Sequence, residues 1–182
     1  MNFTAPAIPY LTRNDLSEHI RAKVIALLNQ RLADAVDLQT QAKQAHWNVK
    51  GPHVSALHLL FDEVYEALEG YVDLLAERVV QLGGIAAGTA RVAAGRSVLP
   101  VYPPAITTGA EHVHALAGAL ALFGGHIRRA IDATGDLGDA GTADICTEIS
   151  RGVDKWLWFV EAHVQSHAEE VVVASRSNGG AR

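Results

Sequence analysis

The stretch that decides the fold covers residues 46–84 and reads HWNVKGPHVSALHLLFDEVYEALEGYVDLLAERVVQLGG. Apolar side chains recur along most of it at intervals of three and four residues, which indicates an amphipathic helix. Gly51-Pro52 interrupts the chain before this pattern, and Gly83-Gly84 follows it, as expected for a left-handed cap at a helix end. We therefore predict a helix over about 54–82, with an earlier helix ending near 49.

Three further helical segments and one long connection are predicted from similar patterns. Asp15 with Glu18, and Thr108 with Glu111, have the spacing of a capping box and predict two helix starts. The connection over 85–106 is longer than two antiparallel neighbouring helices need, so it is expected to cross the length of a helix bundle. The predicted segments are a first helix from about 15 to 49, the connection over 85–106 with a short helix at 89–96, and long helices at about 109–134 and 140–173.

Four long helices joined by one long crossover are typical of ferritin-like bundles. The predicted fold class is therefore all-α, a ferritin-like four-helix bundle whose crossover carries a short helix. Residues 1–182 are expected to form a single domain, with flexible tails at about 1–13 and 175–182.

The composition narrows the class of protein. The net charge of −5 argues against a protein that coats nucleic acid by bulk electrostatics. Cys146 is the single cysteine, so no disulfide joins two parts of the chain. The first residues lack the apolar segment of a secretory signal, and no apolar run approaches the ~20 residues that cross a bilayer. We expect a soluble cytoplasmic protein without membrane contact.

Five residues with metal-binding side chains fall into two groups within a stretch of 32 residues. His58 and Asp62 are four residues apart and share a helix face, as do Asp73 and Glu77, while His46 near the end of the first helix can join the first pair. The 11-residue step between the pairs returns to nearly the same face but rises about 16 Å, far beyond a metal–ligand bond of about 2 Å. If both pairs bind one site, the second must come from another chain across a two-fold axis. The spacing thus predicts a metal site and a dimer together.

The types of ligand leave several interpretations open. Imidazole together with carboxylate suits iron, manganese or zinc. A lone histidine on a helix is more often structural, and helical acids usually form a solvated face. Glu66 and Glu69 extend the acidic stripe of the same helix, and burial of such a row would need cations or hydrogen bonds.

The residues around these positions resemble the Dps family, the DNA-protecting mini-ferritins of starved bacterial cells. The resemblance spans about 12 to 170, and its central motif is far more specific than a lone HxxxH pair. The matching segments are His46-Trp47-Asn48-Val49-Lys50-Gly51-Pro52-His53, Leu57-His58, Leu60-Phe61-Asp62-Glu63, Asp73 with Ala76-Glu77-Arg78, Leu82-Gly83-Gly84, Thr142-Ala143-Asp144-Ile145, Glu148-Ile149-Ser150-Arg151, and Asp154-Lys155 with Trp158-Phe159.

This resemblance implies a hollow homo-dodecamer in which iron(II) is oxidised, preferably by hydrogen peroxide, and stored as iron(III) mineral. It implies a ferroxidase that protects the cell from oxidative damage. Each centre would combine His46, His58 and Asp62 of one chain with Asp73 and Glu77 of its neighbour, and none of the five is substituted. Iron is the implied metal, and zinc, which accepts the same ligands, is an alternative.

Further residues near the centre have candidate roles. Trp47 lies beside a metal ligand and is a candidate for intercepting stray radicals, although core or interface packing is the ordinary role of such a residue. Glu66 and Glu69 are candidates for mineral nucleation if they face the cavity.

A second acidic group is expected at the start of the fourth long helix. Asp139, Asp144 and Glu148 lie where the family builds a three-fold pore for iron, although acids at this place can instead cap the helix. His163 and His167 form an HxxxH pair that could hold zinc at a surface.

The basic residues that DNA binding needs are sparse. Residues 1–20 contain Arg13 as their one fixed positive charge, and the C-terminal tail carries Arg176 and Arg182. Few phosphate contacts per chain predict weak, salt-sensitive binding at best. The alternatives to a ferroxidase are a DNA-coating structural protein with an idle metal site, and a zinc- or manganese-binding helical oligomer without redox turnover.

Overall fold

The computed structural model describes residues 8–165, and within them the chain forms helices and no β-strand. The helices are α1 (Glu18–Asn48), α2 (Val54–Gln81), α3 (Ala90–Arg96), α4 (Gly109–Asp136) and α5 (Ala140–Glu161). The predicted all-α class, the short helix in the crossover and the starts of α2, α4 and α5 are confirmed. None of these helices combines the length and apolarity needed to cross a bilayer.

The predicted start of α1 is wrong by a few residues. Ser17 caps the helix in place of Asp15, and its hydroxyl accepts a hydrogen bond from the Ile20 amide at 3.4 Å. Upstream, the Asn14 side chain accepts from the Leu16 amide, which holds the chain in a turn up to the cap. Serine and aspartate cap helices about equally well, so spacing alone could not choose between them.

The predicted end of the last long helix is also wrong. Apolar spacing predicted that it continues to 173, whereas α5 ends at Glu161 and a turn follows. The amides of His163 and Val164 bond to the carbonyls of Val160 and Glu161, three residues back, so the chain tightens from the α-helical pattern into a turn. Residues after 165 lie outside the described part of the chain.

The glycine pair after α2 forms the predicted cap. Gly83 has a φ of +87°, and the amides of Gly83 and Gly84 bond to the carbonyls of Val80 and Val79. This is the pattern of a Schellman motif. The Gly83 carbonyl accepts a hydrogen bond from the Tyr10 amide at 3.3 Å, so the described N-terminal segment is fastened to this end of the bundle.

The crossover returns the chain to the end of the bundle where α2 began. The Lys50 amide donates to the Thr107 carbonyl at 3.0 Å, which places the start of α4 beside the α1–α2 loop. There the predicted capping box of Thr108 and Glu111 is present. Hydrogen bonds from Thr108 lower the pKa of Glu111, which keeps this cap ionised.

Contacts between the helices define their order around the bundle. α1 packs against α2 and α4 against α5, while α1 also contacts α4 and α2 contacts α5. The ring order is therefore α1, α2, α5, α4, and the α1–α4 face lies across the bundle from the α2–α5 face. One continuous cluster of apolar side chains fills the interior, with Phe61 and Phe123 among its largest fully buried members.

Candidate metal centre

Two histidines clamp the loop between α1 and α2 by hydrogen bonds that run in both directions. The Nδ1 atom of His46 lies 2.8 Å from the carbonyl oxygen of His58, and the Nδ1 atom of His58 lies 2.9 Å from the carbonyl oxygen of His46. The two rings stack with their centroids 3.6 Å apart. Because His46 belongs to the last turn of α1, its carbonyl has no helical partner, and the His58 ring supplies one.

This arrangement fixes the tautomer of both rings. A carbonyl oxygen only accepts hydrogen bonds, so each Nδ1 atom must carry a proton. In the neutral ring the lone pair then lies on Nε2, an atom that metal ions bind. Histidine ligands are commonly oriented through their other ring nitrogen in this way. Neutral rings held in this way would each leave Nε2 free to bind a metal ion.

Asp62 lies one turn after His58 and already has a cationic partner. The Lys43 ammonium donates a hydrogen bond to Oδ1 of Asp62 and lies 4.6 Å from the centroid of the Tyr65 ring. This hydrogen bond lowers the pKa of Asp62, so the carboxylate is ionised near neutral pH. Nδ1 of His46 lies 3.8 Å from the same oxygen, so Asp62 is beside the histidine pair.

Sequence reasoning missed Lys43. Its position three residues before His46 places both side chains on one face of α1, and that spacing was available in the sequence. What the sequence lacked was the distance between α1 and α2, which brings the ammonium to Asp62.

The second pair of ligands lies at the other end of α2. Asp73 and Glu77 are exposed, and α2 is unbroken between them and Asp62, so the rise of about 16 Å applies to the folded chain. Within residues 8–165, no three His, Cys, Asp or Glu side chains lie close enough together to hold one metal ion. His46, His58 and Asp62 are therefore neighbours that do not form a complete metal site by themselves, and Asp73 and Glu77 lie apart from them on α2.

The remaining candidates on α1 and α2 are at the surface. Glu66 and Glu69 are exposed on α2 between the two groups of ligands. Trp47 is 67% exposed and lines an open cleft of about 600 Å³ together with Lys43 and Tyr65. A large aromatic side chain left open to solvent beside a cleft is typical of a surface that a partner covers.

The three acids near the start of α5 differ in their surroundings. Asp139 is buried, accepts a hydrogen bond from the Thr142 amide at 3.0 Å as the cap of α5, and accepts another from the Arg78 guanidinium at 2.7 Å. Asp144 and Glu148 are exposed. Asp139 therefore fastens α5 to α2 within the chain, and the other two present their carboxylates to solvent.

The residues with peripheral candidate roles lie away from this group. His163 is in the turn after α5 and lines a cavity of about 300 Å³ with His53. Arg13 is exposed, and His167, Arg176 and Arg182 lie outside the described residues.

Comparisons with known proteins agree with this architecture. The ferritin-like domain family matches residues 25–168. The DNA protection during starvation protein of Agrobacterium fabrum is 45% identical over 154 residues, which make up 85% of this chain and 95% of that relative. DpsC from Streptomyces coelicolor superposes with a TM-score of 0.84 at 28% identity, over 91% of this chain and 97% of that one. Dps from Microbacterium arborescens, described in its high iron form, gives 0.76 at 30% identity, over 85% and 98%.

Proposed function

This chain belongs to the Dps family of ferritin-like proteins, and from that premise we propose that it is a ferroxidase that stores iron. Family membership supports iron storage and protection against oxidative damage as the general role. The finer proposal is that iron(II) is oxidised at centres shared by two subunits, preferably with hydrogen peroxide. The iron(III) mineral is stored inside a hollow dodecamer.

The observation that carries the proposal is the reciprocal bonding of the two histidine rings. His46 and His58 each use Nδ1 on the other's carbonyl, which leaves Nε2 of each ring available to a ligand. Asp62 adds an ionised carboxylate beside them. Imidazole and carboxylate together suit iron.

In this proposal a second subunit supplies the remaining ligands, Asp73 and Glu77, to the group formed by His46, His58 and Asp62. Two α2 helices related by a two-fold axis perpendicular to them run antiparallel, so the histidine end of one helix meets the acidic end of the other. Asp73 and Glu77 are exposed and on the same stripe of α2, as such a contact requires. The exposed Trp47 and its cleft lie next to the histidine group and would be covered by the same contact.

The chemistry explains why two metal ions should be held together. Two iron(II) ions, one hydrogen peroxide and two protons give two iron(III) ions and two water molecules. One iron(II) ion alone reduces peroxide to hydroxide and a hydroxyl radical. The task of the protein is to hold two substrate ions side by side, so that both electrons pass to one peroxide.

The other acids take supporting roles in this proposal. Glu66 and Glu69, exposed on α2 between the two groups of ligands, are candidates for mineral nucleation. Asp144 and Glu148 would line an acidic pore that attracts iron(II), and Asp139 would hold the start of α5 in place.

An iron titration tests the proposal. Iron(II) is added to the protein without oxygen, peroxide follows in a stopped-flow instrument, and ferric absorbance reports oxidation. We expect the protein to accelerate oxidation over buffer, and His58→Ala to slow it at least about tenfold. His53→Ala is the matched control, since His53 is exposed in the same loop and lies outside the histidine pair. Equal rates with and without protein would remove the oxidase activity, and elemental analysis of the purified protein would separate iron from zinc.

The alternative function is a DNA-coating protein with an idle metal site. The name of the relative from Agrobacterium fabrum refers to DNA protection. Against it, Arg13 is the one arginine or lysine in the first 20 residues, which predicts weak binding. A gel-shift assay at low and at physiological salt separates the two, because a DNA-coating protein must retain its duplex at the higher salt.

A further inference from the structure

We infer that a cationic pocket between α1 and α4 binds a phosphate-type oxyanion, held by Arg31 and Arg129, with His126 taking up a proton as the anion enters. The pocket is on the α1–α4 face, whereas the metal ligands of α2 are on another helix of the ring. The inference is therefore independent of the proposed ferroxidase activity.

The pocket is a cavity large enough to admit a small anion. Its volume is about 270 Å³, and two alanine side chains of α4 leave the space open. It is lined by Leu27, Gln30, Arg31, His126, Arg129, Ala130 and Ala133.

The arginines supply a positive charge that acids of the chain do not fully neutralise. Arg129 is exposed, and no carboxylate among residues 8–165 forms an ion pair with it. Arg31 forms an ion pair with Oδ2 of Asp34 at 3.1 Å, so one carboxylate faces the two guanidinium groups. A guanidinium presents a planar set of donors that fits a phosphate or sulfate group.

Beneath the pocket lies a buried pair of polar atoms without hydrogen-bond partners. Asp34 is fully buried, and its Oδ1 accepts from Gln30 and from the Val98 amide. Its Oδ2 faces Nδ1 of His126 at 3.7 Å, and neither atom makes a hydrogen bond within the described chain. Nδ1 of His126 is therefore a buried polar atom without a hydrogen bond, and a change that joins it to Asp34 is favourable.

Protonation of His126 would strengthen that contact, because it places a positive charge beside the carboxylate. Burial, and next the charge of Arg31, lower the pKa of His126, so its ring is neutral near pH 7 without a ligand. The charged groups that face the ring are Arg31 and Asp34 from α1 and Arg129 from α4. An anion in the pocket offsets both arginines, so the ring can take up a proton and donate to Asp34. Binding should therefore weaken as the pH rises.

The first test compares two neighbouring arginines in the full-length protein. Sulfate and orthophosphate are titrated calorimetrically into wild type, Arg129→Gln and Arg128→Gln. Arg128 is the matched control, because it pairs with Asp154 at 2.8 Å and does not line the pocket. We expect Arg129→Gln to weaken both anions at least about tenfold and Arg128→Gln less than about twofold. Equal weakening by the two would mean diffuse surface attraction and would overturn the inference.

A second pair of variants tests the cavity and the proton. Ala133→Met fills the space without changing charge and should abolish binding. Sulfate keeps its charge between pH 5 and 8, so a decrease of its affinity with rising pH reports on the protein. The His126→Gln variant should remove that dependence.

A short DNA duplex distinguishes a phosphodiester from a free anion as the ligand. Loss of duplex affinity in Arg129→Gln would identify a phosphodiester, and unchanged duplex affinity would identify a free anion. A pH-independent sulfate affinity in wild type would refute the role of His126.

Discussion

At the residue scale, the Nδ1 protons of two histidine rings determine how the α1–α2 loop is held. The Nδ1 protons of His46 and His58 close the α1–α2 loop and at the same time leave both Nε2 atoms free. Folding of the loop would therefore also prepare the two proposed metal ligands. Lys43 would act against metal binding, because its ammonium is hydrogen-bonded to the Asp62 carboxylate that a metal ion would need.

Lys43→Met should strengthen metal binding. Loss of the ammonium frees Asp62, so we expect cobalt(II), as a spectroscopic substitute for iron(II), to bind about threefold to tenfold more tightly. Lys23→Met is the control, since Lys23 is exposed on the same helix. Unchanged cobalt affinity would mean that the lysine leaves Asp62 at no cost when metal arrives.

The same variant has a defined pH signature. Lys43 lowers the pKa of Asp62. A carboxyl group whose pKa is lower in the folded chain than in the unfolded chain stabilises the fold at pH values above the unfolded pKa. This stabilisation is lost as the pH falls through the folded pKa. Lys43→Met should raise the pKa of Asp62 toward the ordinary value of 3.8, as measured by NMR titration. The change in the free energy of unfolding should be small, because solvent screens this pair.

Trp47→Phe tests the role of the exposed tryptophan. If Trp47 intercepts radicals formed near the centre, phenylalanine should keep the rate of iron oxidation and increase hydroxyl radical release, as detected by spin trapping. Trp158→Phe is the control, since Trp158 is 61% exposed and lies on α5. Equal radical release by wild type and Trp47→Phe would leave packing as the role of this side chain.

At the scale of helices, local signals were predictable and tertiary ones were not. The Gly83 cap and the Thr108–Glu111 capping box depend on a few consecutive residues, and both are present as predicted. The end of α5 depends on what the last turn packs against, which apolar spacing does not contain. The burial of Asp139 is similar, since its partner Arg78 is 61 residues away in the chain.

Asp139→Ala should destabilise the fold far more than Asp144→Ala. It removes the cap of α5 and leaves Arg78 without its carboxylate, for a loss of about 3 kcal/mol in the free energy of unfolding. Asp144 is exposed, so its replacement should change stability by less than about 0.5 kcal/mol. Urea denaturation at one fixed protein concentration measures both. A slower iron uptake in Asp144→Ala with unchanged stability would support the pore.

For the whole molecule, the sequence predicted that a complete centre needs two chains. The stripe on α2 and the rise along its axis were enough for that inference, and the folded chain keeps the two groups of ligands apart. The sequence could not give the Lys43–Asp62 pair or the buried Asp34–His126 contact. Both depend on which helices become neighbours.

Mixing two inactive variants tests the shared centre. His58→Ala damages the histidine half and Glu77→Gln the acidic half, so each alone should oxidise iron slowly. When the two are unfolded together and refolded, half of the two-fold pairs are mixed, and each mixed pair contains one intact centre. We expect recovery of about a quarter of the wild-type rate per chain. A centre built within one chain would show no recovery.

The bond between Arg78 and Asp139 has a mechanical consequence. Arg78 directly follows Glu77 in α2, and Asp139 is the residue from which α5 starts. Because this bond joins the two helices directly, their backbones cannot slide past each other without breaking it. A rearrangement of α5 that widened a passage beside Asp144 would also displace the turn of α2 that bears Glu77. The Arg78–Asp139 bond would then couple the entry of an ion beside Asp144 to the position of Glu77, where the ion is later oxidised.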